Sequence, residues 1–207
     1  MTKERRKSSF RKRIAGVLAV GMLSAACLSG CADNVTVMSE EEEKKWMQEQ
    51  NDIFADVQIP DFAVEAMDGK LVTRDDCFQG YDLVMINIWG TFCGPCVEEM
   101  PELASLYQNL PDRVNMITIC VDVKDDEKNR KFAEKVLKEA GADFKTLIPD
   151  ALLETSLTKL ASAYPTTVFA DADGKLVGGP YFGAQDEKSY LEAIQERLEQ
   201  VQQTEGA

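Results

Sequence analysis

Histidine is missing from all 207 residues of the chain. Its absence excludes Ser-His and Cys-His nucleophile pairs, histidine-ligated zinc or haem, and an imidazole general base. Cysteine is also scarce, because the six cysteines fall far below the density of a small disulfide-stapled scaffold. Any chemistry must therefore use thiols, carboxylates or lysines.

Positive charge is in short supply as well, with 23 Lys and Arg residues against 36 Asp and Glu residues. Seven of the basic residues lie in the first 30 positions, which leaves 16 basic against 35 acidic residues and a formal charge of −19 for the rest. Such a surface repels phosphate backbones, so nucleic acid is not expected as a partner.

The N-terminus has the pattern of an export signal. A basic arm, MTKERRKSSFRKR, precedes the apolar run IAGVLAVGMLSAACL, which is too short to span a bilayer comfortably. The run ends in Leu28-Ser29-Gly30-Cys31, which resembles the bacterial lipobox and marks Cys31 as a lipidation site. An ordinary signal peptide with a stray Cys31 is the alternative. We expect a lipid anchor on the outer face of the cytoplasmic membrane.

The chain divides into three predicted parts. Residues 1–30 are predicted as the lipoprotein signal peptide and residues 31–58 as a tether and N-terminal helix, with a capping-box pattern at Ser39 and Glu42. Residues 59–205 are predicted as one domain, because the 177 residues after position 30 suffice for a single hydrophobic core.

Apolar runs of strand length recur through this domain. A D-G pair at Asp68 and Gly69 predicts a hairpin between FAVEA and KLVT. The runs LVMINIW, VNMITICVDV and FKTLI are predicted as strands, and PTTVFA and KLVGGPYF as a closing hairpin.

Helical periodicities lie between these strands, at about residues 96–110, 125–142 and 186–203. In the second of these helices, the spacing places Phe132 and Val136 on the inner face. The alternation predicts an α/β fold with a mixed sheet, helices on both of its faces, and an added N-terminal hairpin and helix.

The segment NIWGTFCGPCVEEMP contains the pair Cys93 and Cys96 between a predicted strand and a predicted helix. A helix N-terminus favours a thiolate, and a two-residue spacer lets the second thiol attack a mixed disulfide on the first. A zinc site collecting Cys77 and Cys120 and a purely structural disulfide are the alternatives. A disulfide between Cys77 and Cys120 also stays possible.

The run W-G-T-F-C-G-P-C resembles the thioredoxin active site, and the longer frame is similar to the extracytoplasmic thioredoxin-like reductases of the TlpA and ResA kind. The similarity covers roughly residues 58–203. It implies a thioredoxin-like fold, catalytic Cys93 and Cys96, and a cis-proline at Pro165. It also places Asn87 where thioredoxin has a buried aspartate and implies that Glu99 tunes the thiols, whereas a solvated first-turn acid is the simpler reading of Glu99.

The same resemblance implies a membrane-anchored thiol-disulfide oxidoreductase that reduces disulfides of exported proteins. Its electrons would come from a membrane thiol protein of the CcdA or DsbD type, and it would act as a monomer without a cofactor. A peroxiredoxin-type thiol peroxidase is an alternative, although Ile86 and Gly90 stand where its pattern needs proline and threonine. A Sco-type metallochaperone is another, although the chain lacks the CxxxC and histidine of that family.

Overall fold

The computed structural model describes residues 38–205, so the predicted signal peptide and Cys31 lie outside the described residues. Within 38–205, no helix combines the length and the apolar character that a membrane span requires.

Seven strands and six α-helices follow one another in the described part of the chain. In chain order they are α1 (Glu40–Phe54), β1 (Ala63–Glu65), β2 (Leu71–Thr73), α2 (Arg74–Phe78), β3 (Leu83–Trp89), α3 (Gly94–Gln108), β4 (Val114–Cys120), α4 (Glu127–Ala140), β5 (Lys145–Leu147), α5 (Ala151–Ser156), β6 (Thr166–Asp171), β7 (Tyr181–Phe182) and α6 (Glu187–Glu205). A short 3-10 helix, Thr158–Leu160, follows α5.

The central sheet has the strand order β5-β4-β3-β6-β7, with β3, β4 and β5 parallel and β6 and β7 antiparallel to their neighbours. All residues of β3 and β4 are buried, as expected for strands covered on both faces. One hydrophobic cluster packs on each face of the sheet. The predicted α/β fold with a mixed sheet between helices is therefore confirmed.

The predicted hairpin forms between β1 and β2, with Gly69 at a positive φ of 78° in its turn. Its first strand continues onto the edge of the main sheet, because Ala66 forms an antiparallel bridge with Leu147 of β5. The hairpin therefore extends the sheet beyond β5.

The predicted N-terminal helix is α1, and Ser39 and Glu42 form the capping box at its start. Its inner face differs from a simple apolar stripe, because Gln50 is buried while Ile53 is 48% exposed. Gln50 accepts a hydrogen bond of 2.8 Å from the Ser162 hydroxyl, and this bond offsets the free-energy cost of burying the amide.

Two sequence-based details are wrong. Phe132 on α4 is 42% exposed, and its neighbour Ala133 is buried instead beside Val136. The closing hairpin turns at the predicted site but is interrupted, since its second strand is reduced to the two residues of β7. The Gly-Gly-Pro sequence at 178–180 breaks the strand, because proline cannot donate to the ladder and glycine weakens it.

Candidate active site

The two cysteines of the C-G-P-C segment lie where β3 leads into α3. Cys93 is the N-cap residue of α3, and its sulfur accepts a hydrogen bond of 3.2 Å from the backbone N–H of Cys96. The two sulfurs form a disulfide in this structure, with Cys96 fully buried and Cys93 7% exposed. The backbone N–H of Cys96 in the first helical turn therefore faces the Cys93 sulfur, which favours the Cys93 thiolate after reduction.

The loop before Cys93 is fastened to the next strand by Asp122, a contact that sequence reasoning missed. Its carboxylate accepts hydrogen bonds from the Thr91 backbone N–H at 3.0 Å and from the Thr91 hydroxyl at 2.6 Å. The side-chain amide of Asn129 donates to the same carboxylate at 3.2 Å. This half-buried acid holds the start of α3 in place.

The Tyr164–Pro165 peptide bond is cis, as the resemblance predicted. Pro165 precedes β6, and Thr166 pairs with Ile88 near the end of β3, so the proline lies at the same end of the sheet as the cysteine loop. The Tyr164 ring meets the exposed ring of Phe92 edge-on, with 5.5 Å between centroids. The two loops thus form one continuous surface.

Glu99 is buried, with 2% of its surface exposed, so the reading as a solvated first-turn acid is wrong. Its carboxylate accepts hydrogen bonds from the Tyr190 hydroxyl at 2.6 Å, the Gln185 backbone N–H at 2.7 Å and the Asn87 amide at 3.2 Å. Burial raises the pKa of Glu99, and the three donors oppose that rise. Glu99 and Cys96 both lie on the buried face of α3, one helical turn apart.

Sequence reasoning found Asn87 and Glu99 but missed their partners. Tyr190 belongs to the apolar stripe of α6 and Thr167 to a buried strand, so both read as ordinary core positions. The available signal was the hydroxyl that each carries, because a buried hydroxyl needs a hydrogen-bonding partner.

The other two cysteines of the described chain are free and buried. Cys77 belongs to the hydrophobic cluster on one face of the sheet and Cys120 to the cluster on the other, which rules out the disulfide left possible above. Burial raises the pKa of the Cys77 thiol to about 11 and raises that of Cys120 as well. Within residues 38–205, no group of three or more Cys, Asp or Glu side chains is placed to hold a metal ion.

Similar proteins support the fold. A thioredoxin family protein of Chlorobium tepidum TLS, described as a thiol:disulfide interchange protein, has a solved structure that is 18% identical, with a TM-score of 0.58 over 69% of this chain and 97% of that one. The exposed lipoprotein thioredoxin Etrx1 of Streptococcus pneumoniae strain TIGR4 is 25% identical, with a TM-score of 0.51 over 66% of this chain and 99% of that one. The fold is therefore thioredoxin-like.

Sequence relatives point the same way. The thiol-disulfide oxidoreductase ResA of Bacillus thuringiensis subsp. konkukian (strain 97-27) is 31% identical over 121 residues, which are 58% of this chain. The chain spans 65% of the length of that relative, less than two thirds of it. Residues 55–179, more than half of the chain, match the AhpC/TSA family. The chain therefore belongs to the AhpC/TSA family, and the ResA proteins are among its relatives.

Proposed function

We propose that this protein is a membrane-anchored thiol-disulfide oxidoreductase that reduces disulfides of exported proteins through Cys93 and Cys96. The observation that carries the proposal is the placement of Cys93 as the N-cap of α3, with Cys96 in disulfide contact one turn away. A nucleophile needs the stabilised thiolate that a helix N-terminus provides, and a resolving thiol needs this proximity.

In the reducing direction, the Cys93 thiolate attacks one sulfur of a target disulfide. A Cys93-target disulfide forms, the target disulfide breaks, and the first target sulfur leaves as a thiolate that takes up a proton. Cys96 then loses its proton and attacks the Cys93 sulfur, which forms the Cys93–Cys96 disulfide and releases the second target thiol. Two electrons pass from the dithiol to the target, and the two target sulfurs take up protons from solvent, because Cys93 reacts as a thiolate and the proton of Cys96 stays with the protein.

Glu99 is the group we assign to the proton of Cys96. Its carboxylate takes the proton while Cys96 attacks and returns it when the disulfide is reduced again. Burial raises the pKa of Glu99, and a raised pKa makes a carboxylate a better proton acceptor. Asn87 cannot replace it, because an amide does not titrate.

The surface formed by Phe92 and Tyr164, next to the buried Pro165, is the proposed binding surface for the target strand. It belongs to the two loops that carry Cys93 and Pro165, and its aromatic rings offer apolar contact to the target.

The proposed setting is the outer face of the cytoplasmic membrane. The pattern at Leu28 to Cys31 supports a lipid anchor, and the similarity to an exposed lipoprotein thioredoxin supports this location. An oxidising compartment keeps returning the pair to its disulfide, so turnover needs a thiol donor that carries electrons across the membrane, of the CcdA or DsbD type. We propose that the protein acts as a monomer and without a cofactor.

The test is the reduction of insulin disulfides by dithiothreitol with the full chain in detergent. We expect Cys93→Ser to abolish turnover and Cys96→Ser to accumulate a mixed disulfide, because the resolving thiol is gone. Cys77→Ala is the matched control, since Cys77 is buried away from the pair, and it should keep wild-type turnover. Wild-type turnover in Cys93→Ser contradicts the proposal, as does a wild-type protein that consumes hydrogen peroxide but no disulfide.

The reduction potential of the Cys93/Cys96 couple tests the direction of the reaction. A value near or below about −270 mV, the level of thioredoxin, fits a reductase. A value near about −120 mV is that of a strong oxidant and contradicts the reducing direction.

A further inference from the structure

Four side chains form a closed ring of hydrogen bonds one helical turn from Cys96. The Tyr190 hydroxyl lies 2.6 Å from Oε1 of Glu99 and 3.0 Å from the hydroxyl of Thr167. The Asn87 amide nitrogen lies 3.0 Å from the same Thr167 hydroxyl and 3.2 Å from Oε2 of Glu99. The ring joins side chains of α3, α6, β6 and β3.

The hydrogens of this ring have one arrangement when Glu99 is a carboxylate. Tyr190 has one hydrogen, which it donates to Glu99, so the Thr167 hydroxyl must donate to the Tyr190 oxygen. The two amide hydrogens of Asn87 go to Thr167 and to Glu99. All of these hydrogens find acceptors when Glu99 is a carboxylate.

Protonation of Glu99 weakens the same ring. A proton on Oε2 would face the Asn87 amide, which is itself a donor, so one hydrogen bond of the ring would break. A proton on Oε1 would have to be donated to Tyr190, whose hydroxyl would then turn to Thr167 and no longer donate to Glu99, and the Thr167 hydrogen would lose its acceptor in the ring. Burial thus favours the acid form of Glu99, while the ring favours the carboxylate.

We propose that Tyr190 is a positioning residue for the dithiol reaction. Its hydroxyl holds the Glu99 carboxylate in place and in its charged form. This inference rests on the proposed function, because it assigns Tyr190 through the proton that Glu99 exchanges with Cys96. The hydrogen bonds of the Tyr190 hydroxyl go to Glu99 and Thr167. Its hydroxyl acts on the thiols only through Glu99.

The charged and titratable groups around Glu99 are few. On α6 and the loop before it, these are Tyr190 itself and the acids Asp186 and Glu187, and α3 adds Glu102, which accepts from the Glu187 backbone at 3.1 Å. The three acids are exposed or half-exposed, so solvent screens their effect on Glu99. β3 and β6 contribute the neutral Asn87 and Thr167, and the beginning of α3 contributes the cysteine pair.

The test is the pH profile of insulin reduction by the full chain and its Tyr190→Phe variant. Loss of the hydroxyl removes one donor to the carboxylate, so the acid limb of the profile should move to higher pH. On that limb we expect a rate about tenfold lower, the factor that one hydrogen bond to a charged group provides. At high pH, where Glu99 is charged in both proteins, the two rates should converge.

Three further variants complete this test. Thr167→Val keeps the branched shape but removes the hydroxyl that donates to Tyr190, and it should shift the limb less, in the same direction. Glu99→Gln should remove the limb altogether. Tyr107→Phe is the matched control, because Tyr107 is partly buried against Phe144 outside the ring, and its profile should equal that of the wild type.

A Tyr190→Phe profile that coincides with the wild type, or that is lowered equally at every pH, overturns the proposal. If that variant does not fold, an unshifted profile of Thr167→Val overturns it instead. Carbon-13 NMR titration of the Glu99 carboxyl separates this proposal from the proposed function. If the wild type shows no Cys93-dependent reduction, the function fails, whereas the Glu99 titration still decides whether Tyr190 holds the carboxylate in its charged form.

Discussion

Replacing Asn87 by aspartate places a second buried carboxylate beside Glu99, with the same shape as the amide. The new oxygen would lie 3.2 Å from Oε2 of Glu99, where the Asn87 nitrogen lies now. At an effective dielectric constant of about 20, two unit charges at that separation repel by about 5 kcal/mol. A whole domain is stable by only about 5 to 15 kcal/mol, so the folded variant should take up a proton instead.

That proton changes the dependence of stability on pH. In the unfolded chain both carboxylates are ionised near neutral pH, whereas the folded Asn87→Asp variant holds one proton between them. Since the folded state then binds one more proton, the free energy of unfolding should fall by about 1.4 kcal/mol for each pH unit as the pH rises. In the wild type, burial already raises the pKa of Glu99 above its ordinary value of 4.5. The free energy of unfolding therefore also falls in the wild type as the pH rises from 4.5 to the pKa of the folded state. The variant should continue to lose stability above that window.

Urea unfolding of the full chain from about pH 5 to about pH 9 measures this slope. The double variant Asn87→Asp/Glu99→Gln is the control, because it removes the repulsion and lets the new glutamine amide donate to the aspartate. The double-mutant cycle should then give a coupling energy of several kcal/mol at alkaline pH. Equal slopes for Asn87→Asp and the wild type, together with no rescue by Glu99→Gln, would refute the buried contact between positions 87 and 99.

Two further predictions concern positions away from the thiol pair. Gly178 and Gly141 both have a φ of 69°, but an added Cβ would overlap the buried guanidinium of Arg197 only at Gly178. Gly141→Ala should therefore lower the free energy of unfolding by about 1 kcal/mol, and Gly178→Ala should lower it clearly more, as measured by urea unfolding. Equal losses would contradict the overlap with Arg197. Burial raises the pKa of the Cys77 thiol to about 11 and raises that of Cys120 as well. Iodoacetamide at mildly alkaline pH should therefore leave both thiols unmodified in the native protein and modify both in urea. Rapid labelling of the native protein would contradict their burial.

The strands around the site were predictable because their signal is local. Strand β3 has the predicted boundaries, Leu83–Trp89, since a run of seven residues that is apolar except for Asn87 forms a strand buried on both faces. Helix α4 was predictable in extent but less so in orientation. The boundary between its inner and outer face falls between Phe132 and Ala133, and it depends on which elements pack there rather than on hydrophobicity alone.

The cysteine pair could be predicted from spacing, while the surroundings of Glu99 could not. The partners Asn87, Thr167 and Tyr190 are separated from one another by more than twenty residues of sequence, and only the sheet register and the docking of α6 bring them together. Thr167 stands opposite Asn87 in the ladder between β6 and β3, a pairing that sequence periodicity does not specify.

The helix α1, predicted from sequence as the N-terminal helix that follows a tether, covers an edge of the sheet. The Trp46 ring of α1 contacts the Phe182 ring of β7 in a tilted arrangement, with 4.7 Å between centroids, and residues 57 to 59 pair with residues 174 to 176. The opposite edge, at β5, is covered by the bridge from Ala66 to Leu147. Exposed strand edges are templates for pairing with other chains, so a chain shortened to begin after α1 would uncover one such template. In residues 38–205, α1 thus covers a strand edge with which another chain could otherwise pair.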